Sequence, residues 1–142
     1  MNIEDRLAIL ELIYEYSYTY DSNEINKFSN LFTEDGIWDS PIGTARSREE
    51  IFQLLSSRRE RIAKLGIQNR HFQTNTMLSR KSTKEVQGKT MVLVTWQLPD
   101  RKYAQVHLTG VYEDEFTKTI SGWKFARRTL KIDQESDNLL IS

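Results

Sequence analysis

The hydrophobic period of this chain changes once, near residue 70, and that single change most restricts how it can fold. Before it, apolar residues recur at helical spacing. Residues 3 to 20 carry Ile3, Leu7, Leu10, Ile13 and Tyr14, with Glu4, Asp5, Glu11 and Glu15 between them. A second, short helix over about 24–32 turns Ile25, Phe28, Leu31 and Phe32 inward. "GIWDSPIG" reads as a short strand and a loop, ended by Pro41 and Gly43. "SREE" at 47–50 forms a capping box, with Ser47 as N-cap and Glu50 reaching back. It opens a third helix with Ile51, Leu54, Leu55, Ile62 and Leu65 inward, whose "RRER" at 58–61 reads as a solvated face.

After residue 70 the period is two. "RHFQTNTMLSRK", "EVQGKTMVLVTWQL", "KYAQVHLTGVYEDEFTKT" and "GWKFARRTLKI" read as strands, with "PDRK" (99–102) and "ISGW" (120–123) at the tight turns. Strands in this order, with no helices between them, predict an antiparallel sheet covered on one face by the helices, an α+β fold. A twisted sheet curls around its helices and leaves a cone with a pocket inside. The chain of 142 residues fits a single domain (1–142), with a core over about 3–133. The tail, 134–142, is polar and then apolar; it frays or docks on a partner subunit.

Composition narrows the function. Twenty basic and twenty acidic residues cancel, which argues against a nucleic-acid partner and permits self-association. Cysteine is absent, so neither a disulfide framework nor thiolate chemistry is available. The start lacks a signal-peptide pattern, and no apolar run approaches the roughly 20 residues of a membrane span. The expected setting is soluble and cytoplasmic, away from membranes.

Asp21 stands out. On a wheel at 100° per residue, Ile3, Leu7, Leu10 and Tyr14 fall within roughly 60°, and Asp21 falls in the same arc. A helix that continues to Asp21 aims that carboxylate at the core, against the macrodipole. Asp21 with Glu24 also fits a capping box for the second helix. His71 shares its strand face with Gln73, Asn75 and Met77, a mixed face that suits a structural or a catalytic role. His107 lies with Gln105, Thr109 and Val111, which suits a polar pocket or an exposed face. Arg127 and Arg128 point to opposite faces, so one of them reaches the cavity unless it pairs with Asp114 or Glu113. Two histidines without cysteine form no metal-ligand cluster, and no phosphate loop or nucleophile elbow is present. Acid–base transfer by Asp, His and Tyr is the chemistry this inventory leaves.

The stretches "IEDRLAILELIYEYSYTYDSNEINKFSNLFTEDGIWD", "RHFQTN" and "GVYEDEFTKTISGWKFARRTLKID" resemble the SnoaL-like branch of the nuclear transport factor 2 (NTF2-like) superfamily. The resemblance runs from about residue 3 to 133. It implies the cone fold, which hosts dehydratases, isomerases, cyclases, hydrolases and non-catalytic subunits. Tyr20-Asp21-Ser22 and His71-Phe72 are similar to motifs of the scytalone dehydratases, which implies that Asp21 and His71 bind water and move protons. Similarity to bile-acid dehydratases implies roles for Tyr16 and Arg128 as well. The chain departs from the dehydratase pattern at Trp96, where a second histidine belongs, and at Asp39, where a tyrosine belongs; His107 is the candidate substitute for the histidine.

The resemblance therefore implies a lyase, isomerase or cyclase without metal or cofactor, acting on a small cyclic or polyketide-like substrate. His71 would take a proton, Asp21 would orient it, Tyr16 or Tyr20 would donate to an oxyanion, and Arg128 would hold a carboxylate or enolate. Tyr14, Phe32, Trp38, Asn75, Trp96 and His107 would contact the substrate. The resemblance also implies a homodimer through the sheet. The alternative is a non-catalytic binding or assembly module, as in the small subunit of ring-hydroxylating dioxygenases.

Overall fold

Two helices lead, and a third precedes the four long strands, in the computed structural model, which describes residues 1–134. The order is α1 (Ile3–Asp21), α2 (Ile25–Ser29), β1 (Phe32–Ser40), β2 (Gly43–Ala45), α3 (Arg48–Lys64), β3 (Gln68–Arg80), β4 (Glu85–Gln97), β5 (Gln105–Thr119) and β6 (Gly122–Ile132). One six-stranded sheet runs β2-β1-β6-β5-β4-β3. The last four strands form the expected antiparallel meander. The sheet as a whole is mixed, because β1 pairs with β6 in parallel. The entire meander separates these two strands in sequence, so no hairpin forces them antiparallel.

The second helix is shorter than its apolar spacing predicts. It ends at Ser29, and Phe32 opens β1 instead. Phe125 N–H donates to Leu31 O at 2.9 Å, stitching this entry to β6. Leu31 and Phe32 are still buried, but as part of the strand's approach.

On α1 the buried face is Ile9, Leu12, Ile13, Tyr16 and Tyr20, not the predicted arc. Ile3, Leu7 and Tyr14 are 77%, 55% and 50% exposed. The helix carries two apolar arcs, and the one with the buried aromatic rings packs inward. Tyr16 meets Phe28, Tyr112 and Phe125 at centroid distances of 4.7, 5.5 and 5.7 Å. From the sheet come Val92, Val94, Trp96, Tyr112, Phe116 and Phe125. Each fully buried aromatic or aliphatic side chain is worth roughly 1.5–3 kcal/mol.

Local sequence fixes the ends of α3. Ser47 Oγ accepts from Glu50 N–H at 3.0 Å, while Glu50 Oε2 accepts from Arg46 N–H at 2.7 Å, a box shifted by one residue. At the other end Gly66 takes φ +68, with Gly66 N–H on Ala63 O and Ile67 N–H on Ile62 O. This Schellman turn delivers the chain into β3.

Candidate active site

β3 is tied to α1 by Gln73, whose Nε2 donates to Ile13 O at 3.0 Å and to Ser17 Oγ at 2.6 Å. That anchor brings the last turn of α1 beside residue 71. Asp21 Oδ2 accepts from the His71 backbone N–H at 2.8 Å, and Oδ1 lies 2.7 Å from His71 Nδ1. The two side chains are only 10% and 12% exposed. Asp21 is not a cap: the N-cap of α2 is Glu24, and it makes no side-chain capping bond. Nor does Asp21 lie on a buried stripe, since its arc faces outward along the rest of α1. It is covered because the helix end abuts β3.

An ionised Asp21 accepts from Nδ1–H, so the hydrogen-bond network assigns the neutral ring an acceptor at Nε2. His71 lines the internal cavity and Asp21 does not, so the ring stands between the carboxylate and the cavity. Tyr20 sets its ring edge-on to His71 at 5.1 Å. Tyr16 is more constrained: its hydroxyl accepts from Trp38 Nε1 at 2.9 Å and is also bonded to Tyr112. Burial pushes the hydroxyls of Tyr16 and Tyr20 above their ordinary range, keeping both neutral.

His107 lies flat on Trp96, with centroids 3.6 Å apart and planes at 10°. Its Nε2 is buried without a hydrogen-bond partner among the described residues. Burial first, then the charges of Arg58 and His71, lower its pKa to about 4. It is a neutral ring on the cavity wall.

Arg58 and Arg59, read from composition as solvated, are 8% and 5% exposed. The helical phase carries the missed signal: 58 and 59 continue the spacing of Ile51, Leu55 and Ile62. Arg58 lines the cavity and is hydrogen-bonded to the Tyr20 hydroxyl. Arg59 Nη1 donates to Asn69 Oδ1 at 2.7 Å, and its guanidinium lies 5.3 Å from the Tyr20 ring centre. Asn69 and Tyr112 also line the cavity, and their alternation on β3 and β5 marks them as inward.

Tyr16, Tyr20, Trp38, His71, Trp96 and His107 therefore share one cavity; of the five other predicted residues, Asp21 meets it only through His71 and four do not reach it. Tyr14 is on the outer side of α1. Phe32 is sealed against Phe28 and Phe125. Asn75 is turned out by a bulge between Thr74 and Met77, at φ 57. Arg128 is wholly buried, but its Nε and Nη2 bond both oxygens of Asp114 at 2.8 and 3.1 Å. The register places Asp114 directly opposite it, so the pairing draws the guanidinium away from the cavity.

The cavity holds about 40 Å³, room for a water or two and far less than a typical ligand site. One wall is the partly exposed Ser40–Pro41–Ile42 turn between β1 and β2. Among the described residues, no group of three or more His, Cys, Asp or Glu is placed to hold a metal ion. None of the described helices is long and apolar enough to cross a membrane.

The sequence matches the SnoaL-like domain over residues 1–129. The chain belongs to this family. Several solved structures share the fold of this SnoaL-like protein. One, from Novosphingobium aromaticivorans, is provisionally assigned as a scytalone dehydratase: 26% identity, 94% of this chain and 87% of that one, TM-score 0.80. A second protein from that organism is NTF2-like with a cystatin-like fold: 22% identity, 98% and 89% coverage, TM-score 0.82. ActVI-ORFA from Streptomyces coelicolor gives 22% identity, 92% and 96% coverage, TM-score 0.82. No curated protein sequence matches this SnoaL-like chain.

Proposed function

We propose that this SnoaL-like protein is a cofactor-independent proton-transfer enzyme, a dehydratase-like lyase, isomerase or cyclase acting on a small cyclic or polyketide-like ketone. One observation carries the reading. Asp21 grips both the backbone N–H and Nδ1 of His71, and His71 lines a cavity that Asp21 does not.

His71 Nε2 takes a proton from the carbon next to a carbonyl, and the bond's electron pair moves onto the carbonyl oxygen. In a dehydration the enolate reforms its carbonyl, the β carbon–oxygen bond breaks, and the hydroxyl leaves as water with the proton returned by the imidazolium. Asp21 stabilises that imidazolium; a positioned base of this kind contributes roughly 10²–10⁴-fold. The neutral Tyr20 hydroxyl donates to the developing oxyanion, an effect of about 3 kcal/mol. The Trp96–His107 stack offers a flat wall for a ring. Similarity to the provisionally assigned scytalone dehydratase supports dehydration as the first reaction to test.

The test is incubation in deuterium oxide with scytalone and 3-hydroxy-1-tetralone. The expected result is naphthol formation, with deuterium entering next to the carbonyl of recovered ketone, and loss of both in His71→Gln. No turnover and no exchange with either ketone would sink the reading. The small cavity favours a second one, a non-catalytic binding or assembly module, which predicts that outcome.

A second copy of the chain is the proposed partner. The sheet face away from the helices exposes Phe72, Met77 and Met91, flanked by Lys89, Glu113, Glu115 and Arg127. Basic and acidic side chains on one face complement each other across a two-fold axis.

A further inference from the structure

Asn69 lines the cavity and is 2% exposed, but among the described residues only one end of its side chain is engaged. Arg59 Nη1 donates to its Oδ1 at 2.7 Å. A guanidinium carries donors only, so this bond settles which end of the amide is the oxygen. The two N–H donors on Nδ2 are left over, and buried donors call for an acceptor. Arg59 is itself buried and does not line the cavity. Its charge rests on a neutral amide. A charge-assisted bond at Oδ1 polarises that amide and strengthens donation from Nδ2. The same guanidinium lies 5.3 Å from the Tyr20 ring centre, within cation–π range. One buried cation therefore braces two cavity side chains, Asn69 and Tyr20.

Alternation along β3 puts Asn69 on the same face as His71, two residues and roughly 7 Å away. The register sets it opposite Trp96. A ketone offers its oxygen to a donor and the neighbouring C–H to a base, and that spacing gives each group its partner. We propose that Asn69 Nδ2 donates a hydrogen bond to the carbonyl oxygen of the substrate, sharing that oxygen with the Tyr20 hydroxyl, and that Arg59 is the residue that positions it. This rests on the proposed ketone chemistry at His71. A carbonyl oxygen has two lone pairs, so it accepts from both donors. As His71 Nε2 takes the α-proton, the electron pair of the C–H bond moves onto that oxygen, and the growing charge strengthens both bonds. The substrate class narrows to a neutral cyclic ketone held through its oxygen.

The probes are acetone, cyclohexanone and 1-tetralone, isotope-labelled at the carbonyl, because a cavity of about 40 Å³ must widen for the larger rings. Trp38 and Trp96 line the cavity, so tryptophan fluorescence reads binding. Isotope-edited infrared spectroscopy reads the bound carbonyl stretch, which falls as donors close on the oxygen. Asn69→Asp is the deciding variant. Its carboxylate still accepts from Arg59, so the fold holds, but it has no N–H to donate. Ketone binding should weaken about fivefold. The carbonyl stretch should rise, and deuterium exchange next to the carbonyl should slow about 10²–10³-fold. Asn69→Leu, which adds no charge, should do the same. Arg59→Met should raise the stretch with Asn69 still in place, while Arg59→Lys, which keeps a donor for Oδ1, should retain the wild-type value. If Asn69 only held Arg59, Asn69→Asp would bind ketones and report the same stretch as wild type. That result overturns the proposal, as does an absence of saturable binding by all three ketones. His71→Gln should keep the stretch and lose exchange. A protein whose bound stretch depends on Asn69 but which never exchanges protons sinks the catalytic reading alone. Exchange and stretch both untouched in Asn69→Asp and Asn69→Leu sink this inference alone.

Discussion

Asp114 and Arg128 face each other across β5 and β6 in a two-pronged ion pair whose side chains are both 0% exposed. The guanidinium also lies 3.6 Å from the Tyr112 ring centre and 4.2 Å from that of Tyr16. Removing one partner strands the other charge in the core. Asp114→Ala should therefore lower stability by about 3–5 kcal/mol. Replacing both, as Asp114→Leu with Arg128→Met, should recover most of that loss, because paired charges gain little over apolar packing. Urea denaturation measures both. A single-variant loss below about 1 kcal/mol would contradict the assignment.

The Trp96–His107 stack gives a pH signature. The ring's pKa falls from its ordinary 6.5 to about 4 in the folded protein. Between those values the unfolded chain binds a proton that the folded chain refuses. Stability from this group is thus complete above about pH 6.5 and is lost as pH falls toward about 4. Solvent reaches part of the ring, so the loss is on the order of 1–2 kcal/mol. Urea midpoints across that range should drop less in His107→Phe, which keeps a flat ring on Trp96 without a titrating nitrogen. Equal slopes in the two proteins would refute the shift.

Much of this architecture was legible because β3 to β6 alternate over most of their length and follow one another without intervening helices. The parallel β1–β6 pair was not, since nothing local to Phe32–Ser40 specifies a partner about 90 residues away. On α1, an apolar stripe of Ile3, Leu7 and Tyr14 looked like a core face, yet another arc had better aromatic complementarity. The Asp21–His71 contact came through motif resemblance rather than from the wheel, whose reasoning put Asp21 on the wrong face. Arg58 and Arg59 were hidden by composition, although their phase on α3 matched the buried aliphatics. Asn75 failed through a bulge, which shifts alternation and leaves little mark in sequence.

Asp21→Asn tests positioning directly. The amide can keep both His71 contacts only by accepting from the backbone N–H and donating its NH₂ to Nδ1, which moves the ring proton to Nε2 and removes the inward acceptor. The ring then loses the anion that favours the Nδ1–H tautomer and stabilises the imidazolium. Any turnover found with the ketones should fall about 10²–10⁴-fold, with the melting temperature little changed. Proton NMR of the imidazole should show the Nδ1–H resonance lost or shifted upfield. A variant with full activity would remove Asp21 from the chemistry.

The proposed second copy can be tested on the open sheet face. Val92 and Val94 are buried, so alternation along β4 turns Met91 outward, where it is 54% exposed and registered against Val111. A stable homodimer usually buries 1,200–2,000 Å² in total, roughly. Light scattering should then give twice the 16.7 kDa of one chain. Met91→Lys sets two like charges close together across a two-fold interface and should weaken dimerisation at least about tenfold, while circular dichroism stays unchanged. Separately, Glu113→Lys should weaken the dimer by removing half of the charge complement with Lys89 and Arg127, and this loss should shrink at high salt. A wild-type chain that runs as a monomer at high micromolar concentration would remove the sheet face as an interface between copies.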